Sequence, residues 1–331
     1  SDKKPQKTGF LFWKPRKTEI DLNIEVSILI PFLNESENIP DLVSGLNAFC
    51  SRQDESYEVI FIDDGSTDDS CQKLKNAPIN GFSCSLIQLS QNYGSHAALR
   101  AGITKAKGKY ISFAYADLQD PLTLQKRMYD KAESSSSNII WATRKDTKSS
   151  TLEKLFSQFY ASMMKKHVKN TFPEKGFDIV MFDAKVQQQL NINIESNSSI
   201  FLQILTLGFK QNSIEYEKSE RQKGKSKWTL KAKIKLFIDS FVAFSYFPIR
   251  LVTMLGILFS SLGFLWTIYI ISRKLISDDL EPGWPAIISI LMIGFGVTNI
   301  GLGIIAEYLW RTLDTSRKRP VFVIDELIKI K

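Results

Sequence analysis

Across 331 residues the chain carries 43 Lys and Arg against 35 Asp and Glu, a formal net charge of +8, with 44% apolar residues. Such a composition excludes a disordered or fibrous protein and leaves room for one large domain plus a smaller addition. The average conceals a split, because residues 251–272 and 282–306 contain no charged side chain, and each is long enough to cross a hydrocarbon core of about 30 Å as a helix. Cys50, Cys71 and Cys84 show no C-x-x-C spacing and leave an odd thiol. That argues against a disulfide framework or a thiolate zinc site and places the polar part of the chain in the cytosol. His96 and His167 are the only imidazoles, and no nucleophile motif stands near either, so the chemistry falls to carboxylates, a metal or groups of the substrate.

Residues 1–18 hold six basic residues and one acid without an apolar core, so they read as a basic arm, solvated or drawn to an anionic leaflet, and not as a signal peptide. An apolar run at 26–30, stopped by Pro31, then predicts a strand, and 38–50 a helix with Leu42, Leu46 and Phe49 on one face. The unit recurs: a strand at 59–62 before a Gly-Ser-Thr-Asp turn, one at 85–89 before a helix at 95–105, one at 110–114 before a helix at 122–133, and one at 138–142. Strands alternating with helices predict right-handed βαβ units and an α/β fold with a mostly parallel sheet.

Ligands of such sheets sit beyond the carboxyl ends of the strands. There the sequence places Asn34 and Glu35, then Asp63 and Asp64, then Asn92 and Gly94, then Asp117, Gln119 and Asp120, and finally Arg144. Carboxylates gathered at one rim repel each other unless a cation or hydrogen-bond donors compensate, which points to a nucleotide-type site with a divalent metal. Neither G-x-G-x-x-G nor G-x-x-x-x-G-K-[ST] occurs, so dinucleotide and P-loop chemistry are set aside.

Farther along, Leu152, Leu155, Phe156, Phe159, Tyr160 and Met163 form one helical stripe flanked by Lys154, Lys165, Lys166 and Lys169, a pattern that suits an interfacial helix and a core helix alike. Leu230, Ile234, Phe237, Phe241 and Phe244 form a second stripe beside Lys231, Lys233 and Lys235 that runs into Pro248 and the first apolar segment, which favours the membrane interface. Arg250 precedes the first apolar segment and Arg311, Arg317, Lys318 and Arg319 follow the second, while the link between them is mixed in charge. The positive-inside bias predicts a two-helix membrane hairpin with the head and both termini cytoplasmic. Gly294, Gly296, Gly301 and Gly303 permit close helix packing and so a homo-oligomer. The expected division is a basic arm at 1–24, a cytosolic α/β domain at 25–228, an interfacial helix at 229–248, a transmembrane hairpin at 249–309 and a cytosolic tail at 310–331.

The segments VSILIPFLNESENIP at 26–40, EVIFIDDGSTDDS at 58–70, LSQNYGSHAALRAGITKAKGKY at 89–110 and ADLQDP at 116–121 resemble the GT-A glycosyltransferases that make polyisoprenyl-phosphate sugars. That family includes dolichol-phosphate mannose synthase and the bacterial undecaprenyl-phosphate glucosyl and aminoarabinose transferases. RQKGKSKW at 221–228, the paired apolar segments and KRPVFVIDEL at 318–327 extend the resemblance to roughly residues 24–327.

The resemblance implies inverting transfer of a sugar from a nucleotide-sugar donor, a UDP-sugar foremost, to undecaprenyl or another polyisoprenyl phosphate at the cytoplasmic face of the inner membrane. It brings Mg²⁺ or Mn²⁺ as cofactor and an anionic membrane as partner, with no nucleic acid. Pro31, Asn34, Glu35, Asp63, Asp64, Asn92, Gly94 and Tyr115 would contact the donor nucleotide. Asp117 and Gln119 would hold the metal, and Asp117, Asp178 and Arg144 would be catalytic. Arg144, Arg221, Lys225 and Lys227 would bind the acceptor phosphate. For Asp64 a turn role, its carboxylate satisfying the backbone of Asp-Gly-Ser-Thr-Asp, stands beside nucleotide contact. Asp178 has a capping role as its own alternative.

Three positions depart from the family: Tyr115 stands for the first Asp of Asp-Ala-Asp-Leu-Gln-Asp-Pro, and Phe177 and Val180 stand where Gly and Arg are usual. These departures motivate an alternative, a nucleotide-binding membrane scaffold with weakened catalysis. Transfer to another lipid acceptor is a further one and would require a general base.

Overall fold

The structure is a computed structural model, and it describes residues 21, 23–145, 162, 165, 179–195, 198–217, 247–277, 283–316 and 320–331. Apolar strands at Val26–Phe32 (β1), Tyr57–Asp63 (β2), Ser83–Leu89 (β3) and Tyr110–Phe113 (β4) alternate with helices at Ile39–Cys50 (α1), Ser70–Lys75 (α2) and Ser95–Ile103 (α3). The helix Thr123–Ser135 (α4) leads to β5 at Ile139–Arg144. The strand Ile179–Asp183 (β6), helices Ala184–Ile192 (α5) and Ile200–Thr206 (α6), and strand Gln211–Tyr216 (β7) complete the head. Two long helices follow, Phe247–Ser277 (α7) and Trp284–Ser316 (α8), and the chain ends on the strand Ile324–Lys329 (β8).

One eight-stranded sheet runs in the order β7-β5-β6-β4-β1-β2-β3-β8. The pairs β1/β2, β1/β4, β2/β3 and β5/β7 are parallel, whereas β6 lies antiparallel between β4 and β5 and β8 lies antiparallel to β3. Two reversals about β6 leave β5 and β7 running in the same direction as β1 to β4. The carboxyl ends of β1, β2, β3, β4, β5 and β7 therefore open on one edge.

Period-two alternation divides the core. Ile28, Ile30, Val59 and Phe61 face α1, α2 and α4, while Leu29, Ile60 and Ile62 face α3, α5 and α6. Arg100 of α3, buried, donates to the Ser198 carbonyl, the Ser198 hydroxyl and Gln203 Oε1, tying α3 to the start of α6.

Two expectations change. Pro31 does not stop β1, which continues to Phe32. Leu29 accepts from Ala114 on the β4 side, and pairing with β4 covers Val26–Leu29, so two residues on Pro31 faces a side where no ladder donor is needed. The segment 310–331 is not a separate tail, since α8 runs to Ser316 and β8 joins the edge of the head's own sheet.

In the long helices Gly301 of α8 packs against α7 so closely that a Cβ there would stand 3.0 Å from Val252 Cγ1. Among the described residues one stretch, Ile293–Trp310, is long and apolar enough to span a membrane, with mean hydropathy 1.3. Large apolar side chains on both helices, among them Leu265, Leu275, Leu291 and Phe295, face outward.

Candidate active site

Asp63 ends β2 beside Phe32 of β1 and Gln88 of β3, and both Asp63 and Asp64 are buried, at 3% and 5% exposure. Each carboxylate is held at both oxygens. Asp63 Oδ1 accepts from the Ser66 N–H at 2.8 Å and Oδ2 from the Cys71 thiol at 3.0 Å. Asp64 accepts from the N–H groups of Tyr93 at 2.8 Å and Gly94 at 2.9 Å, which clamps the Asn92–Gly94 loop to the end of β2. Burial raises the Asp64 carboxyl above its ordinary range, the two N–H groups pull it back, and the charge of Asp63 adds to the rise. The Asp-Gly-Ser-Thr-Asp turn is thus closed by Asp63, whereas Asp64 reaches across to a different loop.

Gly65 joins the two carboxylates to this loop. Its φ is 79°, and a Cβ would stand 2.8 Å from the Asn92 nitrogen and the Gln91 carbonyl carbon, so only glycine fits. Gly94, with φ 91°, has no atom within 4 Å of an added Cβ, and there the conformation alone selects glycine. Asn34 adopts φ 51°, accepts from the Thr67 N–H at 2.8 Å, and donates its own N–H to the Ser66 hydroxyl at 2.9 Å. The Glu35 N–H donates to the Ser70 hydroxyl at 2.9 Å, and its carboxylate accepts from Asn38 at 2.7 Å. The loops after β1 and β2 are stitched into one rim beside Pro31.

A second group gathers after β4. Leu118 takes φ 57°, a left-handed conformation that costs a non-glycine residue about 1 kcal/mol, and the Gln119 N–H donates to Asp117 Oδ1 at 3.3 Å. Tyr115 is surrounded by Asp120, Asp117 and Arg144; burial first, then the two carboxylates, hold its hydroxyl protonated, against the pull of Arg144. Tyr216, in register with Arg144 across β5 and β7, donates to Asp120 at 2.8 Å and hydrogen-bonds Arg144. Asp117, Tyr115 and Arg144 thus come together, and Asp120 and Tyr216 join them. Asp120 was visible at the strand end, but nothing in the sequence marks Tyr216, whose place depends on β7 pairing with β5.

Among the described residues no set of three or more His, Cys, Asp and Glu side chains forms a protein-built metal cage. Asp117 and Gln119 offer a carboxylate and an amide oxygen two residues apart on one tight turn. That donor set fits Mg²⁺ or Mn²⁺ completed by the oxygens of a diphosphate. Asp178, Arg221, Lys225 and Lys227 lie outside the described residues, as do the apolar stripe at 152–163, apart from Ser162, and the one at 230–244.

A profile of glycosyl transferase family 2 matches residues 27–191. The uncharacterized glycosyltransferase YkcC of Bacillus subtilis is 30% identical to this chain, over 92% of it and 94% of the relative. The chain belongs to glycosyl transferase family 2. The undecaprenyl-phosphate 4-deoxy-4-formamido-L-arabinose transferase of Aeromonas hydrophila is also 30% identical, over 92% of this chain and 94% of that enzyme. Among solved structures, S. aureus TarS 1-349 with UDP-GlcNAc superposes with a TM-score of 0.44 at 16% identity, covering 67% of this chain and 68% of that one. The rim of Asn34, Glu35, Asp63 and Asp64 and the Tyr115–Arg144 group of this glycosyltransferase lie on the same sheet edge.

Proposed function

We propose that this glycosyltransferase moves a sugar from a nucleotide donor of the UDP type to undecaprenyl phosphate or another polyisoprenyl phosphate, with inversion, at the cytoplasmic membrane face. The observation that carries this is the similarity to the Aeromonas hydrophila undecaprenyl-phosphate transferase, which covers 92% of the chain and so takes in both head and long helices.

The chemistry suits the residues. A phosphate monoester is mostly ionised at pH 7, its second pKa being about 6, so the attacking oxygen needs no strong general base. The protein has to hold two anions in line and stabilise the departing diphosphate. Arg144, beside Tyr216, would pair with the acceptor phosphate, with Arg221, Lys225 and Lys227 as further cations. Asp63, Asn34, Glu35 and Pro31 line the base and ribose side, with Asp64 keeping the Asn92–Gly94 loop in place. Asp117 and Gln119 would hold Mg²⁺ or Mn²⁺, which when bound offsets charge on the leaving diphosphate. Asp178 would orient the reacting centre.

The place of β8 supports a two-pass topology. Residues 217 and 324 belong to one sheet-bearing head, so the chain between them crosses the membrane an even number of times. With Ile293–Trp310 as one crossing, the uncharged 251–272 within α7 is the other. On α8, Gly294, Gly296 and Gly303 have open space where a Cβ would stand, which supports packing against a second copy.

The test is to incubate the purified protein with undecaprenyl phosphate and a panel of UDP- and GDP-sugars, with and without Mg²⁺ or Mn²⁺, and to detect glycolipid by mass spectrometry. The expected result is a metal-dependent sugar-phosphate lipid that Asp117→Ala abolishes. Nucleotide binding with no lipid product from any donor would overturn the proposal.

A further inference from the structure

Cys71 lies on α2, one residue past Ser70, whose hydroxyl accepts from the Glu35 N–H, and its sulfur reaches back to Asp63. The direction of the contacts is set by chemistry. The Lys75 ammonium can only donate, and it meets Gln88 Oε1 at 3.1 Å. The Gln88 amide NH₂ is thereby turned to Cys71 Sγ, at 3.4 Å. With its acceptor side occupied, the thiol directs its hydrogen to Asp63 Oδ2, at 3.0 Å. Asp63 and Gln88 are also direct cross-strand partners, and the same row continues to Glu326 of β8, whose carboxylate is 3.8 Å from Lys75 Nζ.

We propose that Cys71 is a positioning residue for the donor site: it fixes the rotation of the Asp63 carboxylate, and Gln88 aims its thiol. This rests on the reading of Asp63 as a donor-nucleotide contact. With the Ser66 N–H on one oxygen and the thiol on the other, the carboxylate is held against rotation at both oxygens. Burial pushes the thiol up to about 12, so it remains an S–H donor at neutral pH. Cys50 and Cys84 are buried, which leaves Cys71 as the half-buried thiol of the three.

The experiment titrates the full-length protein in detergent with UDP and Mn²⁺ by calorimetry, with thermal unfolding of each variant as a check on folding. Cys71→Ala is expected to weaken UDP about tenfold, the effect of one lost hydrogen bond to a carboxylate, while Cys71→Ser, which keeps a donor, stays within about threefold of wild type. Gln88→Leu falls between them. If Asp63→Asn weakens UDP and Cys71→Ala does not, the positioning role is overturned while the Asp63 reading stands. Equal losses in Cys71→Ala and Cys71→Ser also overturn it, because volume and not the hydrogen bond would then matter. If Asp63→Asn binds UDP as the wild type does, both readings fail.

Discussion

The Tyr216 hydroxyl donates to Asp120 at 2.8 Å across 96 residues of chain, and the same hydroxyl hydrogen-bonds Arg144. A neutral group thereby sits between a carboxylate and a guanidinium and holds both in place. Tyr216→Phe removes that bridge without changing volume. The expected result is a loss of about tenfold in kcat/KM toward the lipid acceptor with UDP affinity unchanged, read from steady-state kinetics and nucleotide titration on the same preparation.

Restoring the family's aspartate at position 115 has a cost that this structure makes explicit. Tyr115→Asp puts another carboxylate beside Asp117 and Asp120, the groups that surround the tyrosine. Without metal the variant is expected to lose about 1–2 kcal/mol of stability through like-charge repulsion, and Mn²⁺ with UDP should recover it. Melting curves with and without the ion test this; a metal-independent Tm would refute it.

His96 sets a pH dependence of stability. Among the described residues neither buried ring nitrogen finds a hydrogen-bond partner, Phe201 packs edge-on at 5.9 Å, and burial pushes the imidazole from 6.5 down to about 4. Between those values the unfolded chain binds the proton and the folded chain does not, so stability falls as pH drops from 6.5 to 4, by up to about 3 kcal/mol for this group. Chemical denaturation at several pH values should show a shallower slope over that window in His96→Phe than in the wild type.

Gly65→Ala combines an unfavourable φ of 79° with a Cβ only 2.8 Å from the backbone of Gln91 and Asn92. The expected destabilisation is about 2 kcal/mol, together with loss of UDP binding as the Asn92–Gly94 loop is displaced from Asp64. Denaturant titration and calorimetry separate the two effects.

Much of this was legible in the chain itself. The alternating apolar runs at 26–30, 59–62, 85–89 and 110–114 became β1 to β4 within a few residues, because buried parallel strands need continuous apolar side chains whatever surrounds them. Polar residues at strand ends marked Asp63, Asp117 and Arg144 for the same reason, since backbone direction alone brings those ends to one edge. The two uncharged segments likewise announced α7 and α8.

What local pattern could not carry was partnership between distant strands. The insertion of β6 between β4 and β5, the pairing that sets Tyr216 beside Arg144, and the return of β8 to β3 after two long helices are matters of register between segments tens to hundreds of residues apart. The division of labour at Asp63 and Asp64 belongs here too. Adjacent and chemically identical, they differ because opposite faces of a strand end meet different neighbours: a turn and a thiol for one, the loop of another strand for the other. Strand and helix periods are properties of a few consecutive residues, whereas hydrogen-bond partners are chosen only once the sheet has closed.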